Sequence, residues 1–442
     1  MRKKRTKHLK NVLNFKERLV SWSQQFDDVV WLDSNDYNQK YSKYDAVLAA
    51  EAFTSIQTDY YQAFDKFKEY QSTTMDWIFG YLAYDLKNDI EDLKSNNFDG
   101  LGFPDLYFFQ PKRLFFIKGN KVTMKYLKLV EVDIKNDWED ISNIELPITE
   151  TINTNKDKEA PRIKLRIHKD EYFEKFDSLL SHIHRGDIYE ANFCQEFYSQ
   201  DVLIDPLETY HHLNSISKPP FATFLKLNDK FLFSASPERY LKKTGRKIIS
   251  QPIKGTAKRD PDINKDIELI NHLSADQKER SENIMIVDLV RNDLSRTAKK
   301  GSVKVKELCK VYSFQQVHQM ISTVVSKLKK DVHLVDVIRT TFPMGSMTGA
   351  PKISAMKIIE ELEETKRGLY SGAVGYISPK GNFDFNVIIR SILYNQTNKY
   401  VSYSVGSAIT AKSDPLKEYE ECLIKAKAMR EALEKFSNLS DS

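Results

Sequence analysis

The chain has 442 residues, of which 41% are hydrophobic and 29% are charged, a composition that is typical of folded soluble proteins and excludes a disordered chain. No apolar run reaches the roughly 18 residues that a membrane-spanning helix requires, which excludes a helical membrane protein. The net charge of +5 comes from six Lys and Arg residues among the first ten, and the other 61 basic and 62 acidic residues nearly balance. A nucleic-acid-binding body is therefore not indicated.

The N-terminal segment is basic but lacks an apolar run, so we expect no secretory signal there. Its charge favours a solvated, frayed end, although a segment that binds nucleic acid or an acidic partner would have the same composition. The three cysteines, Cys194, Cys309 and Cys422, stand far apart and form no CxxC pair. This spacing favours free thiols and a cytoplasmic location over a disulfide framework.

The N-terminal third mixes predicted helix and strand. Residues 46–70 have a helix-like pattern, whereas 106–127 predict two strands that meet at a Gly-Asn turn. The polar stretch 150–161 has almost no apolar anchor and is typical of a surface connector. Because 442 residues exceed the size of one simple core, we expect an N-terminal domain over 1–150 and a longer domain over 161–437.

The C-terminal part alternates long helices with antiparallel hairpins. Residues 168–186 predict an amphipathic helix that ends at Gly186. Hairpins are predicted over 221–243, around Asn228-Asp229, and over 383–410, with a turn at 395–398. Long antiparallel hairpins between long helices are typical of the α+β class and not of a doubly wound parallel sheet.

Two predicted helices each carry a pair of glutamates three residues apart. Ser274 is the predicted N-cap of the first helix, in which Glu279 and Glu282 share a face. Acidic residues in the first turn also complement the helix dipole, so one such pair indicates nothing more by itself.

The last helix repeats the pattern. Ser413 is its predicted N-cap, Glu418 and Glu421 share a face, and Lys425 follows one turn later. If the two helices meet, their carboxylates predict a Mg²⁺ site with positions left for water and substrate. The sequence does not show whether they meet.

The segment SQPIKGTAKRD, residues 250–260, contains the clearest candidate nucleophile. Lys254 follows Pro252-Ile253, and a predicted strand over 246–250 separates it from Glu238. A return strand would bring the acid beside the lysine, which would place a nucleophile and a proton donor in one pocket. Because attack requires a neutral amine, we expect burial or a nearby cation to lower the pKa of Lys254.

Other polar residues allow both structural and functional interpretations. His318 lies on a predicted apolar helix, where a core role is more common than proton transfer. Arg390 shares a face with Asp384 in a predicted strand. Two interpretations are open: Arg390 binds a ligand carboxylate, or it lies exposed to solvent at the end of the strand. Small residues over 342–352 and 404–408 predict turns whose N–H groups can approach an anion.

Eight ordered segments resemble the chorismate-utilising enzymes over about 163–432, with a weaker similarity in the N-terminal third. They are GDIYEANFCQ, SPERY, PIKGT, ENIMIVDLVRNDLSR, GSMTGAPK, RGLYSGAVGYIS, DFNVIIRS and DPLKEYEEC. The resemblance implies an αββα sandwich of two large antiparallel sheets covered by helices. It also implies a chorismate-binding catalytic domain over 161–437 and an N-terminal subdomain of the anthranilate synthase component I type over 1–150.

P-I-K-G-T around Lys254 is similar to the branch of the family that makes 4-amino-4-deoxychorismate, the precursor of p-aminobenzoate and folate. Anthranilate synthases usually have P-I-A-G-T. The resemblance implies that Lys254 attacks C2 of chorismate while Glu238 protonates the leaving C4 hydroxyl, and that ammonia then adds at C4. It implies a supporting role for His318 near C4. The alternatives are an anthranilate synthase, which releases pyruvate, and a chorismate-binding relative without turnover.

The resemblance also implies the other contacts of the site. Mg²⁺ would be held by Glu282 and Glu421, with Glu279 and Glu418 acting through water or from outside the ligand set. The substrate contacts would come from Arg390 and Tyr370, which would hold the enolpyruvyl carboxylate, and from Thr256, Ser346, Gly406 and Lys425.

Three positions depart from the family pattern. Glu190 stands where relatives often have Gln and where water-adding members usually have Lys. An acid cannot act as that lysine, so a water-adding isochorismate or salicylate synthase is not favoured, although the environment on the C2 side would change. Met344 and Ala408 replace family glycines, and both are tolerable unless the backbone there needs a positive φ.

The predicted partners are small molecules and one protein. The sequence contains no glutaminase signature, so ammonia would come from a glutamine amidotransferase subunit or from solution. No nucleic acid and no membrane partner is expected. Ser34 aligns with a tryptophan-contacting serine of the family, which predicts either a feedback site or a retained structural pocket.

Overall fold

The computed structural model describes residues 2–37, 40–146, 161–315 and 317–434. The predicted connector 150–161 lies outside these residues except for Pro161, and the division into two domains stays a prediction. No helix in the described ranges is long and apolar enough to cross a membrane.

The described residues form twenty strands, eleven α-helices and three short 3₁₀ helices. The strands are β1 Arg2–His8, β2 Asp28–Asp33, β3 Ala46–Thr58, β4 Ile78–Leu82, β5 Leu106–Lys118, β6 Lys121–Leu127, β7 Lys164–Leu165, β8 Glu190–Ser199, β9 Phe221–Leu227, β10 Lys230–Ser236, β11 Arg239–Thr244, β12 Lys247–Gln251, β13 Ile253–Lys258, β14 Lys304–Ser313, β15 Val317–Lys327, β16 Gly349–Ala350, β17 Ala373–Ile377, β18 Phe383–Val387, β19 Ser391–Asn395 and β20 Tyr400–Thr410. The α-helices are α1 Val12–Ser23, α2 Ala63–Thr74, α3 Lys87–Ile90, α4 Ile134–Asn143, α5 Lys169–Arg185, α6 Pro206–Ser217, α7 Ile263–Ala275, α8 Gln277–Thr297, α9 Leu334–Thr341, α10 Lys352–Leu362 and α11 Pro415–Glu434. The 3₁₀ helices are Tyr84–Leu86, Lys128–Asp133 and Gly345–Met347.

Two antiparallel sheets share the long strand β5. One runs β1-β6-β5-β3-β2-β9-β10-β19-β20-β8 and carries β7 and β16 beside β8. The other runs β5-β4-β17-β18-β11-β12-β15, with β13 and β14 also paired to β15. The predicted α+β class, with large antiparallel sheets covered by helices, is confirmed, and the ladders through β5 join the two sheets.

The hydrophobic core follows the two-residue period of the strands. In β2, Val30 belongs to a cluster with Ile78 of β4 and Val374 of β17. Its neighbours Val29 and Trp31 belong to a second cluster, which contains side chains of α1, α4, α6 and α11. Alternate residues of a strand face opposite sides of the sheet, so each face of β2 buries apolar area against a different layer. Full burial stabilises each large apolar side chain by about 1.5–3 kcal/mol.

Several predicted elements are confirmed. The β5–β6 hairpin turns at Gly119-Asn120, the β9–β10 hairpin turns at Asn228-Asp229, and α5 ends at Arg185 with Gly186 as its C-cap. The three cysteines are free and buried.

Three segment predictions are wrong. Residues 46–70 begin with strand β3, whose ladders with β2 and β5 override the helix propensity of its alanines; only α2, from Ala63, is helical. His318 lies in β15 and not on a helix, because that run pairs with β13 and β14. The small residues over 404–408 lie inside β20, where the ladder with β8 replaces the predicted turn.

The basic N-terminus is an edge strand and not a frayed end. Residues 2–8 form β1, which pairs with β6 from Arg2↔Leu127 to His8↔Lys121. The Arg2 guanidinium lies 2.8 Å from the Asp76 carboxylate, and the side chains of the other β1 residues are exposed. Exposed cationic side chains on an edge strand disfavour pairing with another chain.

Both predicted helix caps are shifted along the chain. Ser274 lies in the last turn of α7, and the carboxylate of Asp276 caps α8 by accepting from the Glu279 N–H. Asp414 accepts from the Lys417 N–H at the start of α11, whereas Ser413 bonds the Thr410 N–H. Asp276 and Asp414 follow the predicted serines closely, and aspartate is as good an N-cap as serine, so the sequence alone did not distinguish between them.

Candidate active site

A bulge in β13 presents Lys254. The register of β13 on β15 shifts between Ile253 and Thr256, so one or more residues there leave the ladder. Gly255 has a φ of +89°, and a Cβ at this position would lie 3.1 Å from Glu279 Oε2. Pro252 restricts the chain on one side of the bulge, and glycine allows the left-handed turn on the other. The P-I-K-G-T segment therefore holds the lysine at a fixed bend.

Lys254 is held as an ammonium group. Its Nζ lies 3.3 Å from Glu190 Oε1, and the two side chains are 13% and 1% exposed. Burial by itself lowers the pKa of Lys254, but the negative charges of Glu190, Glu282 and Glu238 together raise it above its ordinary value. The prediction of a lowered lysine pKa is therefore wrong for this arrangement.

Glu238 lies in the connection between β10 and β11 and is buried. Burial raises the pKa of Glu238 to about 7, although the hydrogen bond from Ser346 and the charges of Lys254 and Arg390 oppose that rise. Ser346 Oγ donates to Glu238 Oε1 at 2.7 Å. A carboxyl group with this pKa is protonated in a large fraction of molecules near neutral pH, which suits a proton donor. The charges of Glu238 and Lys254 influence each other's pKa, and the placement of the two groups in one pocket stays a prediction.

Arg390 interrupts the first strand of the hairpin predicted over 383–410. Its φ is +51°, and it separates β18 from β19. Burial lowers the pKa of Arg390, and the negative charge of Glu238 opposes that fall. The guanidinium has no hydrogen bond or ion pair to any residue in the described ranges. Asp384, predicted on the same face, instead bonds the Arg239 guanidinium at 2.9 Å. An unpaired guanidinium beside the acid is suited to a ligand carboxylate.

Three more predicted substrate contacts lie together. Gly406 of β20 stands opposite Cys194 of β8, and a Cβ on the glycine would lie 2.5 Å from the Cys194 Sγ. Tyr370 Oη lies 3.7 Å from the same sulfur. Lys425 Nζ donates to the Gly406 carbonyl at 2.9 Å and pairs with Glu421 Oε1 at 2.7 Å. Thr256 is on β13, two residues after Lys254.

The two predicted glutamate helices do meet. Lys278, at the start of α8, lies 3.0 Å from Glu418 of α11 and 3.8 Å from Glu282 on its own helix. Burial raises the pKa of Glu282 to about 7, and burial with the charge of Glu421 raises the pKa of Glu279. The contact between the helices, left open by the sequence, is now established.

Oxygen donors are available for a hard cation at this junction. Glu282 Oε1 is buried and has no hydrogen-bond partner, and carboxylate oxygens are the ligands that Mg²⁺ prefers. The residues present therefore fit the predicted cation by donor type. In the described ranges, however, no three acidic, His or Cys side chains already stand close enough to hold a metal, and the Lys278 ammonium lies between Glu418 and Glu282.

Both ring nitrogens of His318 lie at hydrogen-bonding distance from a neighbouring side chain. It is 0% exposed, with Nε2 2.9 Å from Asp266 Oδ1 and Nδ1 2.9 Å from Ser313 Oγ. Asp266 also accepts from the Arg259 guanidinium at 2.9 Å. These contacts tie β15 to α7, and within the described residues His318 bonds neither Glu238 nor Lys254. They favour the structural interpretation of this histidine.

Ser34 lines a separate cavity of about 70 Å³ between the loop after β2 and strand β18. Its Oγ is buried and has no hydrogen-bond partner. The cavity is also lined by Tyr44, Pro220, Tyr376 and Asn386. A tryptophan site at Ser34 stays a prediction.

The departures Met344 and Ala408 are compatible with the backbone. Met344 has a φ of −63° and Ala408 lies inside strand β20, so neither position requires glycine. The expectation that both are tolerated is confirmed.

Two supporting residues were missed from the sequence. Lys278 has a weak signal, since it lies four residues before Glu282 and so shares its face. Arg367 is 6% exposed and donates to the carboxylate of Glu363 and to the carbonyls of Met347 and Asn192, each at 2.6 or 2.7 Å. Its signal in the sequence is its position at the start of the family-like segment RGLYSGAVGYIS.

Comparison with known proteins agrees with this architecture. The model of the chorismate binding enzyme family matches residues 27–431. The chain is 35% identical over 361 residues to an anthranilate synthase component I-like protein of Synechocystis sp., covering 81% of this chain and 72% of that protein. It is 33% identical over 356 residues to aminodeoxychorismate synthase component 1 of Escherichia coli K12, covering 80% and 76%.

A solved structure supports the same fold. Anthranilate synthase component I from Streptococcus pneumoniae superposes with a TM-score of 0.76 at 24% identity, over 89% of this chain and 93% of that one. With the family match across most of the chain and the two relatives above 30% identity, the chain belongs to the chorismate binding enzyme family.

Proposed function

We propose that this enzyme aminates chorismate at C4 to give 4-amino-4-deoxychorismate, as the name of its E. coli relative describes for that protein. The observation that carries the proposal is the buried Glu238 carboxyl group, which accepts a hydrogen bond from Ser346 and whose pKa is influenced by the positive charges of both Lys254 and Arg390. A nucleophile, a proton donor and a carboxylate-binding cation are the three groups that this reaction requires.

The reaction divides one difficult displacement into two steps. The Lys254 amine forms a bond to C2, the two ring double bonds shift, and the C4–O bond breaks as Glu238 gives its proton to the leaving hydroxyl. Ammonia then bonds to C4, the double bonds shift back, and the C2–N bond to the lysine breaks. The Glu238 carboxylate takes one proton from the new ammonium group. Covalent catalysis of this kind replaces one high barrier with two lower ones.

Substrate binding would use the groups around the pocket. Arg390 would hold the enolpyruvyl carboxylate by charge-assisted hydrogen bonds, with Tyr370 beside it. Lys425 would add positive charge and Ser346 would keep Glu238 oriented. Glu282 and Glu421 would hold Mg²⁺, with Glu279 and Glu418 acting through water or from outside the ligand set. The ion, when bound, would withdraw electron density through the ring carboxylate.

A partner would supply the ammonia. The name of the E. coli relative, aminodeoxychorismate synthase component 1, implies a second component, and we propose that this component is a glutamine amidotransferase subunit. The product would then be a precursor of p-aminobenzoate and folate. A cytoplasmic location stays a prediction.

The test is product identity. Purified chain would be incubated with chorismate, Mg²⁺ and ammonium, with and without a lyase that converts aminodeoxychorismate to p-aminobenzoate. We expect p-aminobenzoate only when the lyase is present. Fluorescent anthranilate and pyruvate without lyase would instead establish the second candidate, anthranilate synthase, which the name of the Synechocystis relative favours.

We expect Glu238→Gln to stabilise the protein at alkaline pH and not at acidic pH. The folded protein holds the Glu238 proton up to about pH 7, against an ordinary value of 4.5, so folding of the wild type becomes less favourable as pH rises between these values. The difference corresponds to about 3 kcal/mol. The free energy of unfolding in urea should therefore rise by that amount in the variant at about pH 8, with no comparable gain at about pH 5.

Glu307→Gln is the matched control. Burial raises the pKa of Glu307, but the hydrogen bond from Thr323 and its other partners bring it below the ordinary value. This carboxylate is ionised at both test pH values, so the effect of the variant should be the same at both. An equal gain for Glu238→Gln at the two pH values would contradict the buried-proton account.

We expect Lys278→Gln to bind Mg²⁺ about tenfold more tightly, because it removes a positive charge 3.0 Å from Glu418. Binding would be measured by titration calorimetry without substrate. Lys310→Gln is the control, since Lys310 pairs with Glu307 away from the four glutamates. Unchanged or weaker Mg²⁺ binding in Lys278→Gln would argue against a cation site at this helix junction.

A further inference from the structure

The Lys254 ammonium has one hydrogen-bonding partner among the described residues, the carboxylate of Glu190. Glu190 is the first residue of β8, and its ladder partners are Ala350 of β16 and Thr410 of β20. Glu190 Oε1 lies 3.3 Å from Lys254 Nζ, while Oε2 is buried and has no hydrogen-bond partner. Glu190 therefore has an oxygen at bonding distance from the lysine and a second, unsatisfied oxygen.

The lysine must lose a proton before it can attack. Negative charges from four elements act on it: Glu190 on β8, Glu279 and Glu282 on α8, Glu238 between β10 and β11, and Glu421 on α11. Such a surrounding keeps the proton on nitrogen, so an acceptor close to Nζ is required at the moment of attack.

We propose that Glu190 is a catalytic residue, which accepts the proton of Lys254 as the amine attacks and returns it as the amine leaves. The inference rests on the proposed function. One proton passes from Nζ to Glu190 Oε1, and the freed nitrogen electron pair forms the bond to C2. When the C2–N bond breaks in the second step, that pair returns to nitrogen and takes the proton back from Glu190. The lysine and Glu190 end the cycle as they began it.

Glu238 is not suited to the same task. One of its oxygens accepts from Ser346 at 2.7 Å, and its own proton is needed for the leaving hydroxyl. The two acids thus have different roles: Glu190 accepts the lysine proton on the C2 side, and Glu238 donates a proton to the leaving hydroxyl on the C4 side.

The proposal predicts a particular pH dependence. In the wild type the proton moves between two groups of the protein, so the supply of neutral amine does not depend on pH. In Glu190→Gln the proton must pass to solvent, and the supply rises tenfold for each pH unit. The ratio of kcat/KM for Glu190→Gln to kcat/KM for the wild type should therefore rise tenfold per pH unit. Ionisation of Glu238 lowers both values by the same factor, so it does not change this ratio.

Chorismate consumption would be followed at saturating Mg²⁺ from about pH 6 to about pH 9. We expect Glu190→Gln to be at least about tenfold slower than wild type at neutral pH, with the gap closing as pH rises. In Glu190→Ala, added formate should restore activity in proportion to its concentration, because it can occupy the vacated space and accept the proton. A ratio that is constant with pH, or a Glu190→Ala variant insensitive to formate, would overturn the proposal.

A second readout does not depend on turnover. The rate at which cyanate carbamoylates Lys254 would be measured by mass spectrometry at each pH, and Glu190→Gln should shift the reactive form of the lysine to lower pH. Glu196→Gln is the matched control, a buried glutamate of the same strand whose ion pair is with Arg166. Identical labelling profiles for wild type and Glu190→Gln would refute the proposed proton transfer between Lys254 and Glu190, whatever product the enzyme makes. The proposed function is decided separately, by the product assay.

Discussion

Lys254→Ala should lower the rate of lyase-dependent p-aminobenzoate formation by on the order of a thousandfold or more. Without the amine no bond to C2 can form, and ammonia would have to displace the C4 hydroxyl directly. Chorismate binding should change much less, since Arg390 and the other cations of the pocket remain. The result would be measured as kcat and KM for chorismate at saturating ammonium.

Lys254→Arg separates charge from nucleophilicity. Arginine keeps a positive charge beside Glu190, but its guanidinium does not lose a proton in proteins and cannot attack. We expect the same loss of kcat as in the alanine variant. If Lys254→Arg kept a substantial part of the activity, the lysine would act as a charge and not as a nucleophile.

The covalent step also has a direct signature. In the absence of ammonia, wild-type protein mixed with chorismate should gain the mass of chorismate less one water, and peptide analysis should locate the adduct on Lys254. Both Lys254 variants should remain unmodified. An adduct-free wild type that still aminates chorismate would contradict the two-step mechanism.

Local chemistry explains which parts of the fold were predictable. Gly119-Asn120 and Asn228-Asp229 contain the residues that tight turns require, so the hairpins beside them follow from the sequence. Helix α5 has both an apolar stripe and a terminal glycine. The Ala-rich strand β3 has neither signal, because its state is decided by partners on β2 and β5 that are distant in the sequence.

The candidate site divides in the same way. Lys254, Glu238 and Arg390 were identified from residue type, spacing and family resemblance. The protonation state of Lys254 was not predicted correctly, because its pKa depends on carboxylates from β8 and α8 that are distant from it in the sequence. The bonds of His318 to Asp266 and Ser313 likewise depend on the fold. For Lys278 the sequence indicates only the face that it shares with Glu282, and its contact with Glu418 on α11 is a tertiary contact.

Arg367→Met should destabilise the protein by about 3–5 kcal/mol, because it leaves the Glu363 carboxylate buried and without its cation. The two side chains are 3% and 5% exposed and lie 2.6 Å apart. The free energy of unfolding would be measured in urea. Arg430→Met is the matched control: it breaks an exposed ion pair with Glu434 at the same four-residue spacing, which should cost less than about 0.5 kcal/mol.

A double variant tests whether the stranded charge is the cause. In Glu363→Gln/Arg367→Met the side chain at position 363 is neutral and can still accept from the Cys194 N–H. We expect the double variant to recover about half of the loss of the single one, as a coupling free energy between neighbours. Additive effects of the two substitutions would show that lost packing, and not the unpaired carboxylate, destabilises Arg367→Met.

Arg367 should matter for activity as well as for stability. It donates to the carbonyl of Met347, next to the serine that holds Glu238, and to the carbonyl of Asn192, two residues after Glu190. One guanidinium thus joins the strand that carries the proposed base to the turn that orients the proposed acid. Under conditions where the double variant is fully folded, we expect it to have a lower kcat with little change in KM, because both proton-transfer groups lose their common support while the substrate contacts remain.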